Sequence, residues 1–157
     1  MSYATRARTD VIGVFVPRTA ALPPAGGLTD DLFSVTGEVL VTSFFGRCTA
    51  AMPAESLDYQ LDFDPDDGGS DVAMGTALAF DSMAVGTWVV LNATTGGVLV
   101  ADVDMSDGVL LAAPLALTDG DIKITEAAGG GALGTTARLE WGLTYVPLSA
   151  DGAVVAV

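Results

Sequence analysis

The run Ala137-Arg138-Leu139-Glu140-Trp141-Gly142-Leu143-Thr144-Tyr145-Val146 decides how this chain is read. Leu139, Trp141, Leu143 and Tyr145 fall at every second position, the period-2 mark of a half-buried strand. Leu57-Asp58-Tyr59-Gln60-Leu61-Asp62-Phe63-Asp64 alternates in the same way, and so does Asp121-Ile122-Lys123-Ile124-Thr125. Val35–Phe45 is rich in β-branched and aromatic residues, which favour strands. Thr87–Asn92 and Val98–Val103 flank the turn Thr94-Thr95-Gly96-Gly97 and predict a hairpin. Helical signals are few: Ala73–Met83 has room for a turn of helix, but Gly75 and its threonines oppose one. The 19 glycines and seven prolines sit mainly between the strand candidates. Short strands with turn signals about every ten residues predict an all-β sandwich or barrel, jelly-roll-like, as a single domain.

Composition narrows the function mainly by exclusion. A chain of 157 residues buries roughly 70% of its unfolded surface and folds without disulfides or metal. There is no histidine and one cysteine, Cys48. That removes Ser-His-Asp and Cys-His catalysis, imidazole and four-cysteine zinc sites, and any intrachain disulfide. Six basic residues against 20 acidic ones give a net charge of −14, which opposes nucleic-acid binding through a basic face. Half the residues are apolar and the mean hydropathy is +0.51, enough for a core. High hydropathy with strong acidity predicts apolar surface set against other subunits and charge left outside; an Ala- and Val-rich composition from a GC-rich genome is the plainer reading. Ser82–Ala101 lacks charge and is long enough to span a membrane, but Asn92, three threonines and the glycine turn make it two strands. The short apolar run Val11–Val16 stops at Pro17-Arg18 and is no signal segment. No membrane partner is expected.

Residues 1–28 differ from the rest. They carry Arg6, Arg8 and Arg18 against Asp10 alone, then Pro23-Pro24-Ala25-Gly26-Gly27. The expectation is an extended N-terminal arm over 1–28 that packs on a neighbour through these arginines, followed by one β domain over 29–157. A frayed terminus followed by an edge strand is the other reading.

Two acidic loops are the metal-like feature: Asp62-x-Asp64-x-Asp66-Asp67-Gly68 and Asp102-x-Asp104-x-Ser106-Asp107-Gly108. Alternate carboxylates before a glycine turn gather oxygen ligands for Ca²⁺, so Asp62, Asp64, Asp66, Asp102 and Asp104 are the weak candidates. The glycine comes one place late for an EF-hand, however, and the twelfth position is Ala73 or Ala113 instead of glutamate. Solvated turns ending strands account for both loops, and no metal or cofactor is expected. Gly129-Gly130-Gly131-Ala132-Leu133-Gly134 lacks the lysine of a phosphate-binding loop. Twenty acids always supply a carboxylate pair, so a glycosidase pair has no specific signal. Cys48 follows Arg47, yet with no histidine as base it reads as a small buried residue. Trp88 and Trp141 sit among aliphatic strand neighbours and read as core or subunit contact before sugar platform. No catalytic residue is expected.

Two segments resemble small virion structural proteins of tailed bacteriophages. The first is Phe33-Ser34-Val35-Thr36-Gly37-Glu38-Val39-Leu40-Val41-Thr42-Ser43-Phe44-Phe45-Gly46-Arg47-Cys48-Thr49. The second runs Gly134-Thr135-Thr136-Ala137 through Trp141-Gly142-Leu143-Thr144-Tyr145-Val146-Pro147-Leu148 to Gly152-Ala153-Val154-Val155-Ala156. The resemblance implies a non-enzymatic β-rich virion component, most like a capsid decoration (cement) protein. Such proteins sit, often as trimers, on the outer face of an icosahedral shell. The implied partners are the major capsid protein and further copies of this chain, and the implied place is the virion surface after synthesis in the host cytoplasm. A fibre or tail-associated β module that binds a host-surface carbohydrate or receptor is the alternative.

Overall fold

The computed structural model describes residues 13–21, 29–52, 57–80, 82–92, 98–102, 110–129 and 138–157. Every element among them is a strand: β1 (Val14–Ala21), β2 (Thr29–Thr36), β3 (Val39–Ala50), β4 (Leu57–Pro65), β5 (Val72–Ala73), β6 (Leu78–Ala79), β7 (Trp88–Asn92), β8 (Val98–Asp102), β9 (Leu110–Leu117), β10 (Gly120–Gly129), β11 (Arg138–Pro147) and β12 (Ala153–Ala156). No helix among the described residues is long and apolar enough to cross a membrane.

The strands form two antiparallel sheets that pack face to face, so the fold is a β-sandwich. Sheet I has the order β1-β11-β3-β7-β8, with β9 also on β3; sheet II has the order β12-β2-β10-β4-β5, with β6 also on β4. The expected hairpin is present: Trp88–Asn92 pairs with Val98–Asp102 in register. The alternation of the opening run is also realised, with Leu139, Trp141, Leu143 and Tyr145 all buried. β2 of sheet II continues through Gly37-Glu38 into β3 of sheet I, and the strands paired with them, β10 and β11, likewise lie one in each sheet.

The core is aromatic at its centre. Phe33 of sheet II meets Phe44 of sheet I edge to face at 5.8 Å, and Phe44 meets Trp141 at 5.6 Å. Such pairs add about 0.5–1.5 kcal/mol beyond the area they bury. Gly46 makes room for this cluster: a Cβ there would lie 2.7 Å from Trp141 Cζ3. The bend between β2 and β3 is fixed by polar ties. Gly37 takes φ +63° and its N–H donates to Asp119 Oδ1 at 2.6 Å. The Glu38 N–H donates to Ser149 Oγ at 2.8 Å, and the Glu38 carbonyl accepts from Leu148 and Ser149.

Residues 14–21 of the segment expected as an arm are β1, an edge strand paired along its length with β11. They belong to the β domain, and residues 1–12 and 22–28 lie outside the described residues. Val14 and Val16 point inward onto the core, which is what anchors β1 to the sandwich. Two features blunt its outer edge: Pro17, which has no N–H to offer, and Arg18, a charge turned toward the interior.

Candidate functional site

The register of sheet I places its outward side chains in rows. One row holds Thr19, Glu140, Arg47 and Trp88; the next holds Pro17, Gly142, Phe45 and Val90. Phe45 and Arg47 point outward because of a β-bulge at Thr42. Val39 and Val41 face the core, and after the bulge Phe44, Gly46 and Cys48 do so. The bulge thus changes which parity of β3 faces out. In β7, Val89 and Leu91 are sealed inside, so Trp88 and Val90 are turned out.

The result is an aromatic cluster on the outside of a sheet whose inside already holds Trp141 and Phe44. Phe15 and Phe45 stack nearly parallel, 6.0 Å apart at 8°, and Phe45 meets Trp88 at 5.5 Å. Phe15 is 54% exposed. Gly142 is what lets the phenyl rings lie down: a Cβ there would overlap Phe45 Cζ and come within 2.7 Å of Phe15 Cε2. The Arg47 guanidinium lies over the Trp88 ring at 5.7 Å, and Glu140 stands opposite Arg47 across the ladder. Phe15, Pro17, Phe45, Trp88, Arg47 and Glu140 line a cleft of about 200 Å³.

A second cleft, of about 340 Å³, opens between the sheets beside β9. Phe63, Val72, Met74, Leu115 and Leu117 line it, and it offers almost no polar group.

The outer face of sheet II is acidic. Lys123 on β10 has Asp31 and Asp62 opposite it in register on its two neighbouring strands. Its ammonium reaches Asp64 at 3.0 Å and Asp71 at 2.8 Å. Burial by itself lowers the Lys123 pKa, but the hydrogen bonds and charges of Asp71 and Asp64 outweigh it and the net shift is upward. Of the calcium candidates, Asp64 is therefore engaged by a lysine, Asp62 lies beside it at 9% exposure, and Asp66 stands in the exposed turn after β4. Asp102 ends β8, and Asp104 lies outside the described residues. Among the described residues no group of three or more acidic, cysteine or histidine side chains is placed to hold a metal.

Of the three arginines expected to reach a partner, Arg6 and Arg8 lie outside the described residues. Arg18 is turned inward, 13% exposed, and bridges the sheets by an ion pair to Asp30 at 3.2 Å. Its charge is used inside the chain. Cys48 is buried, as expected for a thiol with no histidine base; it donates to the Ala50 carbonyl, and burial raises its pKa. Trp141 is core, whereas Trp88 is displayed. Sequence reasoning missed the Phe15–Phe45–Trp88 cluster because its members come from three strands. The available signal was the mid-strand glycine Gly142, in a strand otherwise rich in large residues.

No protein-family model, curated protein or solved structure matches this chain.

Proposed function

We propose that this chain is a non-enzymatic structural protein of a tailed-phage virion: a capsid decoration protein that binds the outer face of an icosahedral shell as a homotrimer and stabilises it. One observation carries the reading. The two segments with the virion-protein resemblance are about a hundred residues apart in sequence, yet they form adjacent strands, inside sheet I and at one edge of sheet II. β3 of the first pairs with β11 of the second, and β2 with β12. The resemblance thus falls on one contiguous piece of architecture. The charge layout fits the role. An acidic outer sheet keeps densely packed neighbours apart, and many weak contacts on one shell gain from multivalency. Arg6 and Arg8 are the cations left to reach the shell or a neighbouring copy, since Arg18 is held by Asp30. Shared strand edges within a trimer would cover β1 and β12.

The test is sedimentation. Purified chain should run as a trimer and should pellet with icosahedral shells of the virus that encodes it. Removal of residues 1–12, which leaves β1 whole, should weaken pelleting while the melting temperature holds. A chain that stays monomeric at high concentration and never pellets with shells refutes the proposal and moves the fibre or tail-associated alternative ahead.

A further inference from the structure

The cleft on sheet I has a composition that the sandwich itself does not require. Outward positions of a solvated strand are polar by default, but here three strands turn Phe15, Phe45 and Trp88 outward together. Phe15 and Phe45 lie nearly parallel over Gly142 and Trp88 is tilted 57° to Phe45, so the cleft has apolar aromatic walls. Its rim has one cation, Arg47, and one anion, Glu140, facing each other across β3 and β11. The row continues past Trp88 to Asp102 on β8, and the chain as a whole carries a net charge of −14, so an anionic ligand is disfavoured. Its volume, about 200 Å³, is below that of a drug-sized pocket and suits a single sugar ring. All the residues stand on paired strands, which hold side chains more rigidly than loops do.

We infer that this cleft binds a neutral hexopyranose unit of an oligosaccharide. The C–H face of a sugar ring is apolar and flat and stacks on Trp88, with the tilted Phe45 ring against its edge. Its hydroxyls need both donors and acceptors at the edge: the Arg47 fork donates and the Glu140 carboxylate accepts. The Arg47–Trp88 contact holds the indole in place before the ligand arrives. Charge selects among glycans. The field of the chain repels sulfated and uronic polymers, and a cationic peptide is drawn instead to the acidic outer face of sheet II. The inference stands whether or not the chain sits on a capsid.

The test uses the purified full-length chain on an array of neutral oligosaccharides built of glucose, mannose, galactose and N-acetylglucosamine, with sulfated and uronic members alongside. The best member is then titrated against intrinsic tryptophan fluorescence. At least one neutral oligosaccharide should bind and shift the emission. Trp88→Ala should weaken it by roughly tenfold or more, with Arg47→Ala and Glu140→Ala each costing several-fold and Trp88→Phe lying between. Val155→Ser on β12 should leave binding unchanged. Melting curves of each variant separate lost binding from lost fold. Three results overturn the inference: no neutral glycan bound, binding indifferent to Trp88→Ala in a folded variant, or preference for the anionic glycans. A Trp88→Ala chain that loses only self-association makes the cleft a subunit contact and overturns it too.

Discussion

The outer faces of the two sheets share one backbone geometry and carry opposite chemistry. On sheet I the exposed side is aromatic, with Phe15 and Phe45 over Gly142 and Trp88 beside Phe45. On sheet II it is acidic, with Asp31, Asp62, Asp64 and Asp71 gathered about Lys123. On the acidic face Asp64 and Asp71 share the Lys123 ammonium, the cation they would otherwise seek in a metal. The aromatic face has surface that nothing in the described chain covers. The contrast separates a face whose ion pairs close within the chain from one whose rings are turned outward for recognition.

The largest effect should come from comparing the two tryptophans of sheet I. Trp141→Ala removes a fully buried ring from the inter-sheet cluster and should cost about 3–5 kcal/mol in denaturant unfolding. Trp88→Ala removes a partly buried ring on the outer face and should cost about 1 kcal/mol. Equal losses would erase the distinction between inside and outside. The two glycines sharpen it further. Gly46→Ala drives a methyl into the buried Trp141 ring and should cost about 1–3 kcal/mol. Gly142→Ala pushes only on Phe45 and Phe15, which can swing toward solvent, so stability should change by no more than about 0.5 kcal/mol while the cleft is reshaped.

For sheet II, Lys123→Met leaves Asp64 and Asp71 facing each other without their cation. Both carboxylates are about half exposed, so water screens part of the repulsion and the expected loss is about 1–2 kcal/mol. The loss should depend on pH. With the Lys123 pKa raised by folding, its contribution is whole below pH 10.5, the ordinary lysine value, and disappears as the pH climbs past the folded-state value. Tyr59 adds to the alkaline limb. Burial, and secondarily the Glu126 charge, push its pKa from 10.0 to about 12. The folded chain keeps the phenol neutral while the unfolded chain ionises it, so stability falls as pH rises from 10 toward 12. Urea titrations across that range should show Tyr59→Phe with a shallower alkaline decline than wild type. The smallest effect should be that of a chelator: melting with and without EDTA should coincide, because Asp64 already has its cation. A melting temperature that drops in EDTA would return Asp62, Asp64 and Asp66 to the ligand role.

The fold was legible where one face is buried and the other wet. Leu57–Asp64 and Ala137–Val146 alternate because each strand has a single core-facing side, and the pattern survives translation into structure. Val35–Phe45 was legible as strand, but not its break at Gly37-Glu38 into β2 and β3 of different sheets, nor its faces, because the bulge at Thr42 reverses the parity partway. Trp88-Val89-Val90-Leu91 has the same difficulty without a bulge: an all-apolar run does not say which side is in. The partners of Asp64 were hidden for another reason. Lys123 is 59 residues away, and only the sheet register brings them together. Arg18 reads as a free cation in a basic segment, and its inward turn follows from Val14 and Val16 anchoring the same face of β1.

The account rests on sheet I having one tryptophan sealed inside and one displayed on the face that binds. Acrylamide quenching of two single-tryptophan variants measures this directly. The Trp141→Phe chain, which keeps Trp88, should emit at longer wavelength and be quenched several-fold more steeply than the Trp88→Phe chain, which keeps Trp141. Equal quenching, or steeper quenching of Trp141, would contradict the two-faced sheet and the cleft built on it.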